Sequence, residues 1–486
     1  MPEKMLKFVS TEQKSPAKRA ASTRRTDFDE IYQVFADDAA ATQSSRCSQC
    51  GVPFCQDHCP LGNDIPDWLR LVAEGRMEEA YAVSAATNNM PEVCGRICPQ
   101  DRLCEGACVI EQSGHGTVTI GSVETYITET AFENGWVPPI KPAVERDQTV
   151  GIIGAGPAGL AAAEQLRLAG FQVVIYDRYD RAGGLLVYGI PNFKLDKHIV
   201  NRRVKRLEEG GVAFERGVDI GVDVTFDELR ARHDALLIAT GVYKARVLDC
   251  PRESNAPSAP ALDFLTASNR KGLGDTVPDF ENGSLNADGK NVVVIGGGDT
   301  AMDCVRTAVR QGAKSVRCLY RRDRANMPGS QREVGHAEEE GVVFEWLAAP
   351  RAVGRTVEAV RMRLGAPDAS GRQKPEPIEG GEFALEADLV IEALGFEPED
   401  LPGMFGAPEL GITRRGTLAV NPSTLETRLP GVYAAGDIVR GASLVVWAIR
   451  DGRVAADAIV QRLMSGDTTG DASGSGDEAR KILAAE

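Results

Sequence analysis

Eight of the chain's 11 cysteines fall between Cys47 and Cys108. The run CSQCGVPFCQDHCP holds Cys47, Cys50, Cys55 and Cys59 in the order C-x2-C-x4-C-x3-C-P. A second group, Cys94, Cys98, Cys104 and Cys108, follows as C-x3-C-x5-C-x3-C. Thiols so dense form disulfides, bind zinc or cradle iron–sulfur clusters. The opening MPEKMLKFVS lacks the apolar core of a signal peptide, so a cytoplasmic protein with reduced thiols is expected. That disfavours disulfides. The scattered Cys250, Cys304 and Cys318 read as small buried core residues, and His58 as a surface or supporting residue.

Two glycine-rich turns supply the second chemistry. TVGIIGAGPAGLAAAEQLRLAGFQVVIYD reads as strand, turn, helix and strand. Gly154 permits the tight turn, Gly156 lets backbone approach a pyrophosphate, and Gly159 lets helix and strand pack closely. The helix N-terminus then faces phosphate, and Asp177, at the end of the second strand, is placed to accept from ribose hydroxyls. KNVVVIGGGDTAMDCVRTAVRQGAKSVRCLYRR repeats the plan with Gly296, Gly298, Asp299, Thr300 and Ala301. Its second strand ends in Arg321 and Arg322 rather than an acid, which suits the 2′-phosphate of NADP. A pair of plain surface arginines is the alternative.

These fingerprints need α/β Rossmann-like domains, and the cysteines need something different. Between the cysteine groups, DIPDWLRLVAEGRMEEAYAVSAATNN is apolar at helical spacing and broken at Gly75, a helical hairpin. TIGSVETYITETAFENGW also reads as helix, and WVPPIKPAVERDQ as a linker. The expected architecture is multidomain. An all-α, metal-stapled domain covers 1–145. A first dinucleotide-binding domain covers 146–250 and 396–465, and a second, 251–395, falls between its two segments. The tail, 466–486, is Gly/Ser/Asp-rich and expected to be disordered. The basic stretch KRAASTRRTDF reads as a solvated arm, or else as a docking arm for a partner subunit. A net charge of −15 argues against nucleic acid, and no apolar run reaches bilayer length.

LLIATG, with Thr240 and Gly241, and YAAGDI, with Gly436 and Asp437, end further strands in small-residue turns. Together with AGGLLVYGIP they resemble the two-dinucleotide-domain flavoproteins that include thioredoxin reductase-like enzymes. That resemblance implies FAD in the first fold and NADPH in the second. It also implies that Gly184 and Leu185 line the flavin, that Asp437 meets its ribityl chain, and that the helix with Trp447 and Ala448 lies by its pyrimidine edge. Disulfide reductases of that family carry a redox dithiol beside the flavin, and none stands here. Electrons therefore need another exit. Zinc has no redox chemistry, so the cysteines read as two [4Fe–4S] sites, with two zinc sites as the alternative.

The cysteine pattern, VCGRICPQ, VIGGGDTAMD and the stretches above resemble the small (beta) subunits of bacterial NADPH-dependent glutamate synthase, over residues 1 to about 465. The resemblance implies one cluster on Cys47, Cys50, Cys55 and Cys108. It implies another on Cys59, Cys98 and Cys104, with Cys94 or Glu124 as fourth ligand. It further implies NADPH oxidation at FAD and electron delivery to a large alpha subunit with FMN and a further cluster, where glutamine and 2-oxoglutarate become glutamate. Hydride transfer between bound cofactors needs no side-chain acid or base. The sequence begins Met1-Pro2, without the N-terminal cysteine an amidotransferase of that class uses, so glutamine hydrolysis is expected elsewhere. Two other readings remain: an NADP oxidoreductase subunit of an electron-bifurcating or sulfide-linked complex, and a non-catalytic redox sensor.

Overall fold

The computed structural model describes residues 3–368, 371 and 373–465. The tail expected to be disordered, 466–486, lies outside them. Among the described residues no helix is long and apolar enough to cross a membrane.

Among its described residues the N-terminal third contains no strand in a sheet. Helix Ile65–Ala73 turns at Gly75 (φ +77°) into Met77–Thr87, and Pro91–Ile97 and Ile120–Glu133 complete the helical layer. Trp68, Val93, Val123 and Ile127 are wholly buried at its centre. Burying such side chains contributes about 1.5–3 kcal/mol each.

Two five-stranded parallel sheets follow. The first runs in the order Val432–Ala434, Ala235–Ile238, Thr149–Ile153, Gln172–Asp177 and Ala213–Arg216. Its central strands are apolar along their length because helices cover both faces. The second runs Ser258–Pro260, Leu389–Glu392, Asn291–Ile295, Ser315–Tyr320 and Val343–Trp346. Its chain enters after strand Ala235–Ile238 of the first sheet and leaves before Val432–Ala434. An antiparallel three-stranded sheet, Ala348–Val353, Thr356–Pro367 and Gln373–Glu386, is inserted in the second.

The basic arm departs from its expected solvation. Residues near Lys18 and Tyr32 pair antiparallel, and the resulting loop lies along helix Gln331–Glu339 of the second dinucleotide fold. Arg24 is only 1% exposed and donates Nε to Glu340 Oε1 at 2.9 Å. Lys18 pairs with Glu339 at 2.7 Å, and Tyr32 Oη lies 2.8 Å from His336 Nε2. Arg24 looks solvated in one dimension, but its acids arrive from over 300 residues downstream, whereas Arg19 pairs locally with Asp27. The linker is anchored too: Ile140 is buried in the first dinucleotide core, and Arg206 donates to Pro138 O.

Candidate functional site

The two glycine turns are built alike. A Cβ on Gly154 would lie 2.4 Å from Ala239 O, and one on Gly296 would lie 2.2 Å from Ala393 O. Both have positive φ, +111° and +150°, which glycine adopts at no steric cost. A Cβ on Gly159 would strike Gly154 O at 2.0 Å, so helix and strand touch there, while the equivalent Ala301 is fully buried. The middle glycines differ from both. Nothing lies within 4 Å of a Cβ on Gly156 or Gly298. Each opens onto space at a helix N-terminus, as a phosphate cradle requires.

A cavity of about 410 Å³ runs from the first turn to the start of the helix that follows the second. Gly154, Gly156, Asp177, Gly184, Leu185, Thr240, Gly241, Gly436, Asp437 and Ala448 line it from the first fold, and Asp299 and Thr300 from the second. Thr240 Oγ1 is buried without a partner, a group that a ligand there would satisfy. Asp177 Oδ2 accepts from Ala155 N–H at 2.6 Å and Oδ1 from Tyr179 N–H at 2.8 Å, so this carboxylate also braces the glycine turn. Burial pushes Asp437 up to about 6, although Ser443 donates to it at 2.7 Å. The open middle glycines and the orphaned threonine fit a dinucleotide with a polar tail.

Trp447 does not line the cavity. Its ring lies between the guanidinium groups of Arg440 and Arg450, 4.4 and 5.2 Å from its centroid. The helix Val445–Ser465 instead presents Val445 and Ala448 to the cavity. Sequence reading missed Tyr243, which lines the cavity, and Arg178, stacked over it at 4.7 Å and paired with Glu399 at 3.0 Å. It also missed Lys194. The one signal was a single cation in the short loop GIPNFKLD after the flavin-lining stretch.

Arg321 is exposed and Arg322 half-buried at the end of strand Ser315–Tyr320. Neither pairs with a carboxylate among the described residues, so both can take an anion. Asp299, first in helix Asp299–Arg310, accepts from Ser330 N–H at 2.9 Å and pairs with Arg102 at 3.1 Å. Arg102 comes from the helical domain, which therefore reaches the second glycine turn.

The cysteines gather in two groups. Cys50 and Cys108 lie close enough to act on both Cys47 and Cys55, and burial together with the charge of Cys47 pushes Cys55 up to about 12. Cys59, Cys94, Cys98, Cys104 and Glu124 line one small cavity with Asn63, Asn88 and Val446. Burial pushes Cys59 up to about 11 and Glu124 up to about 8. Glu124 Oε1 accepts from Asn63 at 3.0 Å and Asn88 at 3.2 Å. Cys94 and Glu124 thus both face the cavity that Cys59, Cys98 and Cys104 line. Among the described residues no three such side chains close on a point that would hold a single ion. One zinc ion draws its thiolates to about 2.3 Å from a common centre. Four irons spread theirs wider, and the donors of the second group line one common cavity.

Two family models match the chain. One, described as dihydropyrimidine dehydrogenase domain II, 4Fe-4S cluster, covers residues 24–136, and the other, pyridine nucleotide-disulphide oxidoreductase, covers 148–452. The glutamate synthase [NADPH] small chain of Azospirillum brasilense is 65% identical over 94% of this chain and 96% of its own. That of Halomonas elongata is 45% identical over 94% and 98%. Among solved structures, Mycobacterium tuberculosis FprA in complex with NADPH has a similar fold. It aligns with a TM-score of 0.56 and 21% identity, over 70% of this chain and 90% of that one.

Proposed function

Because the chain belongs to the glutamate synthase [NADPH] small-chain family, an NADPH-dependent oxidoreductase family, we propose that it is the NADPH-oxidising beta subunit of such a synthase. It binds FAD, NADPH and two [4Fe–4S] clusters, and its electrons go to the FMN of a large alpha subunit. There glutamine and 2-oxoglutarate give two glutamates. The observation that carries this reading is one cavity lined by the first glycine turn, by Asp299 and Thr300 at the start of the helix after the second, and, through Cys98, by the second cysteine group.

When bound, the flavin takes an electron pair from the nicotinamide and the clusters move electrons singly. The chain's own residues position and insulate. Gly156 and Gly298 leave room for pyrophosphates, Thr240 and Asp437 offer hydrogen bonds to the flavin's tail, and Arg321 and Arg322 receive the 2′-phosphate. Cys47, Cys50, Cys55 and Cys108 hold one cluster. Cys59, Cys98 and Cys104 hold the other, with Cys94 or Glu124. Val446 borders this second group from the first turn of the helix whose Val445 faces the flavin cradle. This supports putting Cys98 on the flavin side. The first group's loop carries Val52 and Phe54, 64% and 43% exposed, and is the proposed exit toward the partner. We assign 1–145 to the cluster domain, 146–250 with 396–465 to FAD, and 251–395 to NADPH.

The test is division of labour. The purified, cofactor-loaded chain should pass electrons from NADPH to ferricyanide and make no glutamate. Adding the large subunit should start synthesis. Glutamate from the isolated chain, or NADPH oxidation left uncoupled by the large subunit, would overturn the reading. Replacing Arg321 and Arg322 by a neutral and an acidic residue should weaken NADPH use by about 2–4 kcal/mol and NADH use far less. Equal losses would make the pair structural.

A further inference from the structure

Between the two nucleotide cradles stands a buried charge pair that neither fingerprint uses. Lys194 comes from the loop after the flavin-lining turn, and Asp303 from helix Asp299–Arg310, one turn beyond Asp299 and Thr300. Lys194 Nζ lies 2.9 Å from Asp303 Oδ1, with side chains 12% and 5% exposed. Glu333 stands 3.8 Å from the same ammonium. All three line the cavity shared with Gly184, Leu185, Ile190 and Thr300.

The pair differs from its neighbours in what remains available. Glu333 is held by Arg306 and lies 3.3 Å from His336 Nδ1, whose Nε2 meets Tyr32. Lys194 and Asp303 share one recorded hydrogen bond, yet an ammonium has three donors and a carboxylate accepts several. Burying such a pair gains little stability by itself. Because the pair lines the cavity between Thr300 and the flavin loop, it would be open to the nicotinamide end of a dinucleotide bound over Gly298. That end carries one group with an acceptor and a donor side by side, the carboxamide.

We propose that Lys194 and Asp303 hold the nicotinamide carboxamide, the ammonium donating to its oxygen and the carboxylate accepting from its amide nitrogen. This rests on the NADPH-oxidising reading above. Lys194 offers only donors and Asp303 only acceptors, so they bind the carboxamide in one orientation. A flipped amide would set N–H against N–H and oxygen against oxygen. The ring is thereby fixed relative to the flavin loop that carries Lys194.

The experiment is stopped-flow reduction of the flavin in the complete, cofactor-loaded chain, by NADPH and by its 3-acetylpyridine analogue, which replaces the amide nitrogen with methyl. Asp303→Ala should lower the wild-type preference for NADPH over the analogue about tenfold, the worth of one buried hydrogen bond. Lys194→Met should slow reduction by NADPH to a similar degree and weaken the long-wavelength absorbance of the nicotinamide–flavin contact. In both, FAD content and reduction by dithionite should stay unchanged. A loaded Asp303→Ala protein with the full wild-type preference would overturn the proposal, as would a loaded Lys194→Met protein reduced by NADPH at the wild-type rate. If Lys194→Met fails to retain FAD, Asp303→Ala alone decides. A wild-type flavin that NADPH does not reduce would instead sink the underlying reading.

Discussion

Lys197 shows what one side chain does beneath the flavin-lining loop. It is 5% exposed, and Nζ donates to Leu186 O at 3.0 Å and to Ile190 O. Burial pulls its ammonium down to about 7, against the more distant Asp303, Asp196 and Glu30. In the unfolded chain it titrates near 10.5. Between those values the unfolded state binds more protons, so stability rises with pH, and below about 7 the full cost of the buried charge is present. Relative to Lys197→Met, the wild type should gain up to about 1.4 kcal/mol per pH unit from 7 to 10. Denaturant unfolding of both proteins across that range checks it, and a flat difference would mean that Lys197 stays charged throughout. Lys197, like Lys194 and Tyr243, was not legible in the sequence, since its partners are loop carbonyls brought round by tertiary folding. The cysteines and glycines were legible because spacing along a short stretch carries their chemistry.

At the scale of elements, the two strand–turn–helix units divide their glycines by task, and substitution should separate the tasks. Gly298→Ala puts a methyl into open space, so the fold should keep its stability while NADP⁺ affinity drops. Gly156→Ala should likewise fold yet retain less FAD. Gly159→Ala, with its Cβ 2.0 Å from Gly154 O, should lose about 2 kcal/mol or more and lower the yield of folded protein. Thermal unfolding beside cofactor titration distinguishes them, and equal destabilisation by all three would refute the division. The helical hairpin was readable because Gly75 interrupts an apolar period. Trp447 was misjudged because the helix direction was clear but its face was not: the indole turns toward Arg440 and Arg450. The arm was misjudged because Glu339 and Glu340 have no mark in sequence as its partners.

The whole molecule is held as one body by ion pairs between its parts. Arg203 and Glu92, 3% and 0% exposed, join the first dinucleotide fold to the helical domain at 2.7 Å. Arg332 and Glu105 join the second at 2.8 Å. The cysteine groups therefore hold fixed positions relative to the nucleotide cavity, and the proposed electron direction follows from them. Cys59→Ser should slow electron exit nearest the flavin, whereas Cys50→Ser should spare the Cys59 group and block delivery to the large subunit. Flavin reduction by NADPH should persist in both. Electron paramagnetic resonance of the reduced proteins, beside glutamate formation with the large subunit, reads the difference. A Cys50→Ser protein that still supports synthesis would reverse the proposed order or remove the first group from the path.

The arm has a consequence in time. Arg24 leaves the ribosome 316 residues before Glu340, the acid that buries it. At roughly 5–20 residues per second, that wait lasts about 16–63 s. During it the helical domain and its eight cysteines are already outside the exit tunnel, while the strap that will cross to the second dinucleotide fold has nothing to grip. The nascent chain thus passes through an interval when its thiols are accessible and its seam is open, and iron delivery is easiest then. Loading after release has to work against a closed seam, so clusters should insert faster in nascent chains stalled before residue 340 than in finished apoprotein.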